Sequence, residues 1–166
     1  MIETRLDKNF KIKGFFDEET STISYVVYDM TSKKCAVIDS VLDFDFSSGT
    51  IDYHNAEKII SFIEKMKLDL EWLIETHVHA DHLSASPYIQ KKLGGKIGIS
   101  EKISDIQNIF GKTFNAGTEF QRDGSQFDRL FKDNDEYKIG SIKCKVINTP
   151  GHTPVSYTHL RAHETC

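Results

Sequence analysis

The chain has no excess of positive charge: 21 Lys and Arg stand against 25 Asp and Glu, a formal net charge of −4. A polyanion finds no electrostatic footprint on such a surface, so nucleic-acid binding is not expected. No apolar run is long enough to span a bilayer, and Met1-Ile2-Glu3-Thr4-Arg5-Leu6-Asp7 lacks the basic-then-apolar order of a secretory leader. No membrane partner is expected, and a cytoplasmic location follows by default. Cysteine is scarce. Cys35, Cys144 and Cys166 are far apart, odd in number and without a C-x-x-C pair, which argues against a disulfide framework. Cys35 and Cys144 lie in apolar stretches and are expected as reduced core thiols. At 166 residues and 39% hydrophobic, the chain is long enough for one core and too short to expect two.

One segment is dense in ligand chemistry. Thr76-His77-Val78-His79-Ala80-Asp81-His82 gathers three of the seven histidines and a carboxylate directly after an apolar run. Imidazoles with a hard carboxylate suit zinc, iron or manganese rather than calcium. If the backbone stays extended past the strand, His77 and His79 point to the same side and share one ion. Asp81 and His82 fall where the chain must turn, which would swing them toward a second ion. His152 is the distant partner, in the rigid turn Thr149-Pro150-Gly151-His152-Thr153-Pro154 at the end of a predicted strand. His54 precedes a helix with no cluster beside it and reads as an ordinary polar residue.

The rest of the chain alternates strands and helices. Ser24–Tyr28 and Cys35–Asp39 are rich in β-branched and aromatic residues around a polar turn, and predict a hairpin. An acidic loop follows from Asp43 to Asp52. Ala56–Leu68 carries Ile59, Ile60, Phe62, Ile63 and Met66 at helical spacing, with Asn55 as its expected cap. Leu70–Glu75 is a buried strand whose end delivers the histidine cluster. Ser86-Pro87 predicts the start of a second helix, closed at Leu93-Gly94-Gly95. Lys96–Ser100 reads as a strand, Glu101–Phe110 as a third helix, Gly111–Asp128 as a loop, and Tyr137–Gly140 with Ile142–Ile147 as a strand pair. This is an α/β pattern with a mixed sheet and flanking helices.

The Thr-His-x-His-x-Asp-His pattern at Thr76–His82, with Gly151-His152-Thr153 later in the chain, resembles the metallo-β-lactamase superfamily. That resemblance implies an αββα sandwich, of which this chain would form the N-terminal part. It also implies that His77, His79 and His152 hold a first metal, that Asp81 and His82 contribute to a second, and that Asp81 has a catalytic role. Asp39, at the end of an apolar strand, matches an aspartate of the family that orients a ligand from behind. Glu75–Ser84, Lys92–Gly98 and Arg122–Asp128 further resemble the persulfide dioxygenase and β-lactamase-hydrolase-like branch, with glyoxalase II close by. The dioxygenase resemblance implies a mononuclear Fe(II) held by His77, His152 and an aspartate further on, acting on a glutathione-derived persulfide with sulfite and free thiol as products. The hydrolase resemblance implies one or two Zn(II) ions and attack by a metal-bound water on a thioester or other acyl carbon.

The family pattern continues beyond Gly151-His152-Thr153 to a Gly-Asp-Thr motif and a final histidine, and here Val155 to Cys166 follow instead. Read back into codons, Val155 to Thr165 resemble a transposon-based sequencing-library adapter. The expectation is therefore a partial domain over residues 1–154 and a non-native tail over 155–166. His159 and His163 would otherwise read as a zinc pair at helical spacing. Without the later ligands and covering strands, the 166-residue chain alone is expected to be poorly stable and inactive, at most a metal-binding fragment.

Overall fold

A strand sends successive side chains to opposite faces, and the central strands here bury both. In the computed structural model, which describes residues 9–151 and 156–161, the chain opens with β1 (Phe10–Asp17), β2 (Thr22–Asp29) and β3 (Lys34–Ile38). β2 and β3 form the expected hairpin, with Tyr25 opposite Ile38 and Tyr28 opposite Cys35. There follow β4 (Val41–Asp45), β5 (Thr50–Asp52), α1 (His54–Met66), β6 (Asp69–Ile74), β7 (Leu83–Ser84), α2 (Ser86–Leu93), β8 (Lys96–Ser100) and α3 (Ile103–Thr113). The last strands are β9 (Arg129–Phe131), β10 (Glu136–Ile139), β11 (Ile142–Asn148) and β12 (Tyr157–Arg161).

Six strands make a mixed sheet in the order β1-β2-β3-β6-β8-β9. β1 to β3 pair antiparallel, and β3, β6, β8 and β9 run parallel. Three separate crossovers, containing α1, α2 and α3, join the parallel strands. β10, β11 and β12 form a second, antiparallel sheet, and β5-β4-β7 a small third one. Val26, Cys35, Val37 and Leu73 pack with Ile59 and Ile63 of α1 and Ile89 of α2. Their strand neighbours Val27, Ala36 and Ile74 pack instead with Tyr137, Ile139 and Val146 of the second sheet. Helices, mixed sheet and second sheet are thus successive layers of a sandwich. Cys35 and Cys144 are free and buried, and burial pushes the Cys35 thiol up to about 12. Cys166 lies outside the described residues.

Several boundaries differ from expectation. Asn55 does not cap α1 but sits inside its first turn, after Tyr53 at the cap position. The capping group is Asp43, which accepts the Asn55 backbone N–H at 2.9 Å, while the Asn55 side-chain amide donates to Asp43 and Asp17. The Asp43–Asp52 segment is therefore no simple loop, because it contains the end of β4 and all of β5. At α2 the cap position is Ala85, and Ser86 is the first helical residue. α3 begins later and runs past Phe110 to Thr113 in spite of Gly111. Having no side chain, Gly111 admits the Arg122 guanidinium, which donates to the Gly111 and Ala116 carbonyls. The tail segment Tyr157–Arg161 lies along β11 as a strand, with His159 opposite Val146. His159 is therefore not on a helix, and His163 lies outside the described residues.

One buried carboxylate ties the two sheets together. Asp29 is 1% exposed and accepts Thr31 N–H and Ser32 Oγ from the β2–β3 turn, and Ser141 N–H and Oγ from the β10–β11 turn, all at 2.6–2.9 Å. Burial raises its pKa, but these donors outweigh burial and hold the carboxyl far below the usual range. A depressed folded-state pKa gives stability that is present above the unfolded value of about 3.9 and lost as pH falls through the folded one. Asp29→Ala is expected to cost about 2–4 kcal/mol at neutral pH, since it strands buried donors. It should also remove part of the acid sensitivity. Denaturant unfolding at neutral and acid pH checks this, and an unchanged midpoint at neutral pH would count against the clamp.

Candidate metal centre

β6 ends at Ile74 in the middle of the mixed sheet, between β3 and β8. The chain beyond it bends at Thr76–His77 and again at residues 80–82 instead of staying extended. Asp39 causes the first bend. Its carboxylate accepts the Thr76 backbone N–H at 2.8 Å and the Thr76 hydroxyl at 2.7 Å. Asp39 is itself fixed from both sides, since its N–H donates to Ile74 O and its carbonyl accepts Ser24 Oγ. It holds φ at +50°, a left-handed conformation uncommon outside glycine and frequent at functional positions.

The bends bring His77, His79, Asp81 and His82 together, with the two expected pairs joined through His79 rather than set apart. Ring centroids of His77 and His79 are 4.1 Å apart, and those of His79 and His82 also 4.1 Å. Asp39, His77 and His79 offer donor atoms within 4.8 Å of one another, and so do His79, Asp81 and His82. An upstream pair separated from a downstream pair was expected from an extended backbone. Because the chain bends, His79 belongs to both groups and Asp81 and His82 remain beside it. His152 lies outside the described residues. His54 opens α1 on the exposed surface, apart from both donor groups.

Hydrogen bonding sets which ring nitrogen of each histidine carries its proton. Thr76 gives its only hydroxyl proton to Asp39, so at 2.9 Å its oxygen accepts from His77 Nδ1–H. His79 places Nε2 at 3.1 Å from Asp39 Oδ1, which makes Nε2 the protonated nitrogen and Nδ1 the donor atom of the neutral ring. His82 donates Nδ1–H to the Leu83 carbonyl at 2.9 Å, and its buried Nε2 has no hydrogen-bond partner. A buried acceptor left unpaired costs about 1–3 kcal/mol. Holding one imidazole nitrogen so that the other offers its lone pair is how metal-ligating histidines are prepared. The donor types therefore fit transition metals, with Nε2 of His77 and Nδ1 of His79 as the imidazole atoms offered in the first donor group and Nε2 of His82 as that added in the second.

Charge points the same way. Burial opposes the imidazolium of His79, but the Asp39 and Glu75 carboxylates beside it prevail and raise its pKa to about 10. Burial raises the Asp39 carboxyl, and His79 and Thr76 more than offset it, leaving it lowered. Asp81 is lowered as well: burial raises it, and its own backbone N–H, His82 and His79 outweigh that. Thr22 Oγ1 also donates to Asp81, at 3.3 Å. The cluster separates two hollows. One of 530 Å³ is lined by Val41, Phe44, Phe46 and His79–Leu83. The other, of 330 Å³, is lined by His77, His82, Ile97, Ile99 and Phe127. Sequence reasoning missed Thr76 as the proton-fixing partner, and Glu75, whose one available signal was an acidic residue closing an apolar strand.

The model of the metallo-beta-lactamase superfamily matches residues 18–162. A probable metallo-hydrolase of Burkholderia pseudomallei is 47% identical over 149 residues, which is 90% of this chain and 51% of that protein. Glyoxylase B2 of Dictyostelium discoideum is 41% identical over 150 residues, 89% of this chain and 51% of that protein. The crystal structure of ETHE1 from Myxococcus xanthus superposes with a TM-score of 0.67 at 24% identity, covering 91% of this chain and 53% of that one. The bovine mitochondrial persulfide dioxygenase ETHE1 is 23% identical, over 90% of this chain and 47% of its own length. The chain thus spans about half the length of these relatives.

A metal reaching His79 must displace its proton. In the metal-free form the imidazolium persists below about pH 10, so affinity should rise with pH up to that value, with roughly one proton released per metal bound near neutrality. Calorimetric titration in two buffers of different ionisation enthalpy reads that proton directly. Identical heats in the two buffers would contradict the assigned ring chemistry.

Proposed function

Because the chain belongs to the metallo-β-lactamase superfamily, we propose that the cluster at the end of β6 is the metal centre of an enzyme acting on a small thiol-derived substrate. The full-length protein is read as a glutathione-dependent persulfide dioxygenase with a single Fe(II). The observation that carries the metal reading is the convergence of imidazole donors, with Asp39 fixing the His79 tautomer and Leu83 that of His82. The sequence likeness to the bovine persulfide dioxygenase supports the dioxygenase chemistry.

In this reading Nε2 of His77, Nδ1 of His79 and the His152 ring would hold the iron, with Thr76 fixing the other nitrogen of His77 and Asp39 that of His79. Bound Fe(II) would supply open positions at which a persulfide sulfur and O2 meet. The overall change is persulfide plus O2 plus water to thiol, sulfite and two protons. Asp81, whose side chain is 57% exposed on the wall of the larger hollow and whose carboxyl is lowered, stays an ionised hydrogen-bond acceptor there, the released protons pass to solvent, and His82 serves as a second acceptor through Nε2. Phe44 and Phe46 give the same hollow an apolar edge against which the body of the substrate rests.

A second reading, a dinuclear zinc hydrolase of the glyoxalase II or lactamase-like type, is favoured by the donor group His79–Asp81–His82 and by the names of the nearer relatives. In that case Asp81 and His82 are ligands rather than acceptors. Metal analysis and oxygen uptake on glutathione persulfide separate the two. The dioxygenase reading expects about one iron per chain and sulfite formed in step with O2 consumed. It also expects His82→Ala to keep its iron. Zinc at about two per chain, thioester hydrolysis without oxygen uptake, and loss of one zinc in His82→Ala would establish the hydrolase instead.

A further inference from the structure

Glu75 is the first residue beyond β6 and is 4% exposed. A carboxylate this deeply buried needs donors. One oxygen has them: Oε1 accepts the hydroxyls of Ser84 and Ser86. Since Ser86 spends its proton on Glu75, the buried Ser40 hydroxyl, 3.1 Å away, is the donor to Ser86. Ser84 in turn accepts the Ser86 backbone N–H. Strand β7 and the start of α2 therefore fix one oxygen of Glu75, and the β3–β4 turn supports them through Ser40. The second oxygen, Oε2, is buried, has no hydrogen-bond partner and lies 3.5 Å from His79 Nε2.

We propose that Glu75 is a positioning residue for His79, a second carboxylate that works with Asp39 to hold the ring with Nδ1 toward the metal. This rests on the metal reading above and adds to it a residue that touches neither metal nor substrate. The His79 Nε2–H points between two acceptors, Asp39 Oδ1 at 3.1 Å and Glu75 Oε2 at 3.5 Å. Turning the ring over would exchange Nε2 for a carbon and leave both carboxylates without the N–H. With Asp39 alone the loss would be a single hydrogen bond, whereas a buried, already immobilised Glu75 adds a second charge that only the correct orientation satisfies. The two carboxylates also give the pocket behind His79 a negative charge that favours a divalent cation in front of it. Ser84 and Ser86 hold Glu75 at that place, so the carboxylate does not depend on the metal for its position.

Cobalt(II) bound to the full-length protein gives an affinity, by competition with a chromophoric chelator, and a visible spectrum that reports its ligand geometry. Glu75→Gln keeps size and shape but turns an amide N–H or an uncharged oxygen toward His79. It should weaken cobalt binding roughly 10–100-fold and shift the spectrum. Glu75→Asp keeps the charge, shortens the reach, and should fall between Gln and the parent, so that affinity follows the charge. A Glu75 that merely staples α2 would lower the thermal midpoint of the metal-free variants while cobalt affinity and spectrum stay at parental values, and that result overturns the proposal. A parent protein that binds no cobalt overturns the metal reading itself, a distinguishable failure.

Discussion

Asp39 accepts three hydrogen bonds, from the backbone N–H and hydroxyl of Thr76 and from the ring of His79. Nearly everything particular to the site depends on that carboxylate. It ends β3 in a left-handed turn, bends the chain leaving β6, fixes the His79 tautomer directly and the His77 tautomer through Thr76. It occupies this position because β3 and β6 are parallel neighbours whose carboxyl ends come out side by side, Ile38 opposite Ile74. Loops at the carboxyl edge of parallel strands are where rigid sheets commonly present chemistry. Here the fold contributes placement, and the carboxylate converts placement into defined ring nitrogens.

The site is built of interactions that cost free energy until something binds. His82 Nε2 and Glu75 Oε2 are buried polar atoms without hydrogen bonds, and two carboxylates face one imidazole. Such groups destabilise a protein unless they serve a charge that arrives later. The stabilising side lies elsewhere, in the apolar layers on both faces of the mixed sheet and in the Asp29 clamp between sheets. This division explains why substitutions at Asp29 and at Glu75 are expected to act on different observables.

Much of this was legible in the sequence, and the limits have physical causes. β2, β3, β6 and β8 announce themselves because each carries a mostly apolar or β-branched run in which most positions are buried or half-buried. β1 reads Phe-Lys-Ile-Lys-Gly-Phe-Phe-Asp with mostly exposed positions, and β9 has three residues, so neither carries a run long enough to detect. Asn55 looked like a cap because capping rules are local, while the actual cap, Asp43, comes from a strand twelve residues upstream. The ligand types and pairs were evident from cluster density and spacing, but the sharing of His79 between both groups was not. Grouping follows from the bend at Thr76, and the bend depends on a residue 37 positions away.

The proposed centre depends on the three ring tautomers, and long-range nitrogen–proton NMR of the histidine imidazoles in the zinc-loaded full-length protein measures them directly. His77 and His82 should appear protonated at Nδ1, and His79 at Nε2 with Nδ1 shifted by the metal. A His79 ring protonated at Nδ1, or unchanged by metal, would contradict the role given to Asp39 and with it the proposed centre.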